Sequence, residues 1–166
     1  MSLIELLIAM MVLMFGVISI SSLIMLAIGT NFRSRQESNS TAAAQMVMEK
    51  IMSVPASAPQ VLTITDCAGT VSNVNTAGSG GGTGASLNGS GGADFTAASV
   101  AGYSMIYATC GNTAGERSMY DIRWNIKSVS SYDNIVTVSA KLRGTTNNPR
   151  VFSLPVTIRS MSGQGS

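Results

Sequence analysis

Histidine is absent from the 166 residues. With it go the commonest general base at neutral pH and the commonest metal ligand. Charge is scarce too. Asp, Glu, Lys and Arg make up 11% of the chain, less than half the share usual in a soluble domain. The formal balance is +2, and the densest basic stretch is the pair Arg33 and Arg35. The single Trp and the four Tyr do not interleave with a basic stripe. Such a surface gives no electrostatic footprint for nucleic acid, whose binding is left open. Cysteine is limited to Cys67 and Cys110, too few to hold a structural zinc by themselves. Asp66, Asp94, Glu116, Asp121 and Asp133 are scattered, without the dense spacing of an EF-hand loop. No catalytic constellation is present, and no enzymatic activity, cofactor or metal is expected.

Against this shortage stands a long apolar run. From Leu6 to Ile28 there are 23 residues without a charge. As a helix they span roughly 35 Å, enough to cross a hydrocarbon core of about 30 Å. Ser19, Ser21 and Ser22 are mild interruptions, and Gly16 is a weak point worth about 1 kcal/mol of helix propensity against alanine. A signal peptide would carry a basic n-region and a shorter core, yet no Lys or Arg precedes Arg33. A plain anchor meets a conflict. Arg33 and Arg35 would keep the C-terminal side in the cytoplasm, while the cysteine pair and the Ser/Thr/Gly-rich remainder favour the other side. A basic leader cut away before Met1 removes the conflict, so a precursor longer at its N-terminus is expected.

Glu5 heads this run. Ser2-Leu3-Ile4-Glu5 fits an S-x-x-E capping box, and an acid in the first turn suits the helix dipole, each worth about 1 kcal/mol. A carboxylate at mid-bilayer costs roughly 2.5–3.5 kcal/mol. The nearby opposite charge is the Met1 amine. Within one helix the two are poorly placed to meet, whereas helices staggered along a common axis bring them together. At about 4 Å and an effective dielectric near 20 the pair gains ~4 kcal/mol before desolvation.

Beyond residue 30 the pattern becomes that of a water-soluble domain with room for one core. Ala43, Met46, Val47, Ile51 and Val54 recur at three- and four-residue spacing, flanked by Glu49 and Lys50, and predict an amphipathic helix ended by Pro55 and Pro59. Its apolar face should cover a C-terminal sheet. Alternation predicts strands over Tyr103–Cys110, Tyr120–Val129, Ile135–Leu142 and Val151–Ile158. Ile122, Trp124 and Ile126 form one face of the second, and Val136, Val138 and Ala140 one face of the third. Asp133-Asn134 marks a tight turn and Asn147-Asn148-Pro149 a further connection. Short turns imply an antiparallel meander, with Pro155 placing the last strand at an edge or bulge. Residues 78–92 read GSGGGTGASLNGSGG. They lack the Gly-Lys-Ser/Thr ending of a phosphate loop and read as a flexible surface loop. Cys67 and Cys110 bracket this segment. They are either a disulfide pinning its ends, worth about 3–4 kcal/mol, or two buried thiols; an extracytoplasmic setting favours the bridge. Most of the eleven methionines lie at or before Met52, where lipid contact and helix packing account for them better than a soft metal.

The opening Ser2-Leu3-Ile4-Glu5-Leu6-Leu7 resembles the start of mature type IV pilins and type II secretion pseudopilins. A second stretch, Ala42-Ala43-Ala44-Gln45-Met46-Val47-Met48-Glu49-Lys50-Ile51, looks like the helix of V-type minor pilins and I-type minor pseudopilins. Tyr120-Asp121-Ile122-Arg123-Trp124 and Val136-Thr137-Val138 are similar to their sheets, less specifically. The resemblance implies an α+β, pilin-like fold: a long N-terminal helix, apolar in its N-terminal half, packed on a C-terminal antiparallel sheet. Residues 1–29 would be the membrane and filament-core half, 30–54 the amphipathic half, and 55–166 the globular domain with its Gly-rich loop at 77–93. It implies processing by a prepilin peptidase and methylation at Met1. Glu5 and Met1 would set the register in a homo-oligomeric helical filament shared with other pilins. An inner-membrane platform and a cytoplasmic ATPase would assemble it, from the bacterial inner membrane to the cell surface. Position 1 is Met where the family usually has Phe, and position 22 is Ser where many major pilins have Pro. Gly16 then becomes the place where the helix can extend. Adhesion, twitching motility and DNA uptake are not distinguished, nor are major from minor subunit. A type II secretion minor pseudopilin and a non-polymerising anchored adhesin remain as alternatives.

Overall fold

The computed structural model describes residues 3–110, 117–145 and 154–163. Their order is one helix and then strands: α1 (Leu3–Met52), β1 (Val61–Thr65), β2 (Val71–Asn75), β3 (Thr83–Gly84), β4 (Ser104–Ala108), β5 (Ser118–Ser128), β6 (Asp133–Thr145) and β7 (Val156–Gly163). This is the expected α+β class, a long N-terminal helix with antiparallel sheets. Met1, Ser2, Glu116, the Asn147-Asn148-Pro149 connection and Val151 lie outside the described residues. The chain divides into two compact units, Met1–Glu37 and Ser38–Ser166.

In the first unit every described residue is helical, and the helix runs unbroken through Gly16 and Ser22. The interrupting hydroxyls do not break it because they are satisfied within it. Ser19 Oγ donates to the Phe15 carbonyl at 2.8 Å, Ser21 Oγ to Val17 at 2.9 Å, and Ser22 Oγ to Ser19 at 2.8 Å. Such back-bonding leaves a short polar side chain without need of water.

The second unit is built on β5. It pairs with β6 along its whole length, and β6 pairs with β7, all antiparallel. The other edge of β5 is shared: β4 covers Met119 to Arg123, and β3 covers Asn125 and Ile126. The expected meander is thus β4–β5–β6–β7. Opposite pairs Ile122↔Ala140, Trp124↔Val138 and Ile126↔Val136 form the buried face, each residue fully inaccessible. Ala43, Ala44, Val47, Met48 and Ile51 of α1 belong to the same core cluster. Burying each large aliphatic contributes about 1.5–3 kcal/mol. The helix face is centred about one position away from the expected one. Ser40, Ala44 and Met48 are buried while Met46 and Val54 are only half-buried.

Two expectations shift and one element is added. The last strand runs from Val156 to Gly163, further toward the C-terminus than Val151–Ile158; Pro155 stands just before it, where its missing N–H interrupts no ladder. That strand is an edge, as expected. The β5–β6 turn comprises residues 129–132, and Asp133 and Asn134 already belong to β6. Asp133 closes the turn, its carbonyl accepting from Val129 N at 2.9 Å and its carboxylate from Ser130 Oγ at 2.8 Å. A hairpin of β1 and β2, in register from Val61↔Asn75 to Thr65↔Val71, joins the fold. Each of its strands buries a single residue, Ile64 or Val74.

The glycine-rich segment is the largest correction. It is not free along its whole length: Thr83–Gly84 pair with β5 and continue the sheet edge, while residues 86–90 stay on the surface. Ser128 N donates to Ser79 O at 2.9 Å and Ala85 N to Trp124 O at 2.9 Å, and Ala85 and Ala93 are buried. At two positions glycine is needed for closeness rather than looseness. A Cβ on Gly84, whose φ is +110°, would lie 2.5 Å from Trp124 O and 2.6 Å from the Tyr103 ring; one on Gly78 would lie 2.7 Å from Ile126 Cγ2.

Candidate functional site

The first unit presents a surface that water does not tolerate. From Leu3 to Ile28 every large apolar side chain is at least half exposed, from 50% at Leu7 to 82% at Leu3. Contiguous apolar patches beyond a few hundred Å² mark membrane or protein contact. The helix is long and apolar enough to cross a membrane by length and composition. Glu5 lies in its first turn and is exposed. Its expected partner, the Met1 amine, falls outside the described residues. Gly16 is helical, and a Cβ added there meets nothing within 4 Å. At the far end of this unit Arg33 Nε pairs with Glu37 Oε1 at 3.2 Å, one turn apart on an exposed face, where such pairs contribute little.

In the second unit Cys67 and Cys110 form the disulfide, with Cα atoms 5.0 Å apart. Asp66 prepares the junction. Its Oδ1 accepts from Ala68 N at 2.9 Å and Thr70 N at 2.7 Å, folding the β1–β2 turn. Its Oδ2 accepts from Ala108 N at 3.3 Å, and Cys67 N donates to Ala108 O at 3.3 Å. One carboxylate therefore seats the hairpin turn on the end of β4 beside the disulfide.

The outer face of the sheet carries the unit's polar chemistry. Arg123 is 7% exposed and grips Asp121 through two nitrogens, Nε to Oδ1 at 3.1 Å and Nη2 to Oδ2 at 3.0 Å. Its Nη1 donates to Asp94 O at 3.0 Å and Ala97 O at 2.7 Å, and its guanidinium lies 5.1 Å from the Phe95 ring centroid. Lys141 approaches the same ring at 5.8 Å. A guanidinium is suited to this forked and stacked use. Further along, Arg159 donates to Gly91 O at 3.1 Å, Ser139 Oγ accepts from Ala93 N at 2.9 Å, and Asn125 donates to Ala85 O at 2.9 Å. These contacts fasten residues 85–97 over the sheet. A shallow groove of about 600 Å³ remains beside Phe95, Asp121, Arg123, Lys141 and Arg143. Asp94 is held below the usual carboxylate range, first by the Thr96 hydroxyl donating at 2.6 Å, then by the Thr96 amide. Burial pushes the phenols of Tyr103 and Tyr120 up.

Alternation had put Asp121, Arg123 and Asn125 on the polar face, but nothing in their spacing announced that Arg123 would reach a loop almost thirty positions earlier. Phe95 was the missed signal, a lone aromatic in a Gly/Ser/Ala-rich stretch. Among the described residues no group of His, Cys, Asp and Glu is arranged to hold a metal. No family model matches the chain, nor does any curated protein or solved structure.

Proposed function

We propose that the chain is a structural subunit of a type IV pilin-class filament, made as a membrane-held precursor and polymerised through its N-terminal helix. The observation that carries this reading is the combination at the head of α1: an uncharged run of 23 residues, exposed throughout, led by one carboxylate. Lipid covers such a run before assembly, and like helices cover it afterwards. The second arrangement gives Glu5 a role beyond the helix end: it neutralises the Met1 amine of a neighbour and sets the axial stagger. The sheet, its fastened edge segment and the disulfide then form the outer surface of the fibre, in an oxidising exterior. The Ala42–Ile51 stretch, similar to V-type minor pilins, favours a minor position. A prepilin peptidase and an inner-membrane assembly platform are the implied partners.

Replacing Glu5 by Leu separates this reading from an anchored adhesin that never polymerises. Membrane insertion should persist and recovery in sheared surface fibres should be lost. Undiminished recovery of the Glu5→Leu chain in fibres overturns the register role. Mass spectrometry of the N-terminus should find a methylated Met1 amine.

A further inference from the structure

The geometry points to a self-modifying bond at the tip of the glycine-rich segment: Asn88–Gly89 is a succinimide-forming site that converts a neutral surface turn into an acidic one. It is the chain's one Asn-Gly pair. Both residues are exposed, and a Cβ on Gly89 would meet nothing within 4 Å, so the approach to its amide is open. No described residue accepts a hydrogen bond from the Gly89 N–H. The electrophile, in contrast, is held. Asn88 Oδ1 accepts from Ser90 N at 3.1 Å and from Gly92 N at 3.1 Å. The backbone around it is closed by Asn88 N donating to Gly92 O at 2.8 Å and Gly91 N donating to Asn88 O at 2.9 Å.

Two backbone amides aimed at one side-chain carbonyl oxygen are the arrangement that stabilises negative charge developing there. Gly89 N attacks Asn88 Cγ, and Oδ1 takes up the charge between the Ser90 and Gly92 amides. The N–Cγ bond forms, the Cγ–Nδ2 bond breaks, and ammonia leaves with the proton from the Gly89 amide. Water then opens the cyclic imide. Cleavage at N–Cγ gives aspartate, and cleavage at the main-chain carbonyl carbon gives isoaspartate. No oxidant or reductant is involved. The aspartate product keeps both amide bonds and strengthens them, since its acceptor is now charged. It also places a carboxylate next to Gly91, whose carbonyl already receives Arg159. The formal charge of the chain falls from +2 by one. The isoaspartate product lengthens the main chain by one carbon inside a turn whose closing bonds depend on its length, and so opens the turn.

The test is incubation of the purified full-length chain in detergent at mildly alkaline pH. Peptide mass spectrometry follows the gain of about one mass unit that marks amide replaced by hydroxyl. The peptide carrying Asn88 should gain this mass in two chromatographically distinct products, and the folded chain should convert at least as fast as the same chain in denaturant. Gly89→Ala should lose the conversion while keeping the fold, since its Cβ has space. Retention of the amide in the folded chain while the denatured chain converts would mean that the turn protects Asn88, and overturns the proposal. So does conversion undiminished in Gly89→Ala.

Discussion

Replacing both Cys67 and Cys110 by Ala tests how the second unit is held. The bond closes a separation of 43 residues. In the chain-entropy treatment a loop of that length restricts the unfolded ensemble by about 13 cal/mol/K, or ~4 kcal/mol at 25 °C. The folded side of the balance should hardly change. The Asp66 carboxylate still folds the hairpin turn and accepts Ala108 N, and Cys67 N donates through its backbone, which alanine retains. Almost the whole loss therefore comes from a freer unfolded chain. For a urea dependence of about 2 kcal/mol per molar, the midpoint should fall by roughly 2 M. The chain provides its own probe. Trp124 is the only tryptophan, is fully buried, and donates Nε1–H to Asn75 O at 3.1 Å. Its fluorescence thus reports both the core and the docking of the hairpin. The full-length chain in detergent should show native Trp emission without denaturant in both forms and a large gap between their urea midpoints. A gap below about 0.5 M, with native emission intact, refutes the entropic reasoning. It would mean that the reduced unfolded chain is already compact between residues 67 and 110.

Glycine position by position is the next check. Gly84→Ala should lose about 2 kcal/mol or more, because its Cβ meets Trp124 O and its φ is +110°. Gly80→Ala, with nothing within 4 Å, should stay within about 0.5 kcal/mol of the parent by the same urea titration. Arg123→Met leaves Asp121 without its partner where the side chains are 9% and 20% exposed; it should cost about 3 kcal/mol and admit protease between residues 85 and 97. Stability should also fall in alkali. Tyr103 and Tyr120 have raised phenol pKa values in the folded state. The unfolded chain therefore loses its protons first, and stability present below about pH 10 should decline as pH rises further, read by thermal melts from pH 8 to 11. Melting that is flat across that range would contradict the burial of the two phenols.

What the sequence disclosed followed signal strength. The alternation in Ile122, Trp124, Ile126 and in Val136, Val138, Ala140 was legible because a sheet with one wet face demands period two. The helix over Leu3–Met52 was legible from composition in one half and from spacing in the other. The β1–β2 hairpin was not, because with a single buried residue per strand it carries no periodic signature; Asp66 and Gly69 hold it by turn geometry instead. The glycine-rich segment misled for a physical reason. Glycine signals freedom in an isolated chain, yet the same absence of a side chain lets backbone approach backbone. Only the neighbouring β5, far along the chain, decides between the two. Of the candidate site, the apolar run and the cysteine pair could be read directly. The grip of Arg123 on residues 94–97 could not, because it depends on which face of the sheet those residues return to.

The two halves of α1 obey different solvents, and this narrows what can cover the first. Residues 40–51 form a stripe, with Ala44, Val47 and Met48 buried and Gln45, Glu49 and Lys50 exposed. Residues 6–28 have no such stripe: apolar side chains occur all round and the serines are satisfied internally. A single groove on one partner protein would cover one side of the helix and leave the other in water, so the cover must surround it. Lipid does so, and so does a bundle of like helices. The sparse small residues Gly16, Ser19 and Ser22 do not distinguish them, since small residues serve helix contacts in either setting. Glu5 does. In lipid its place in the first turn serves the helix end, at about 1 kcal/mol, a service that Gln at the third helical position supplies almost as well. In a bundle it carries a charge that its neighbour must match, and Gln does not. Glu5→Gln should therefore leave membrane insertion and the urea midpoint of the second unit unchanged while still abolishing fibre incorporation. A Glu5→Gln chain that assembles as well as the parent assigns Glu5 to the cap and leaves lipid as the cover of the first unit.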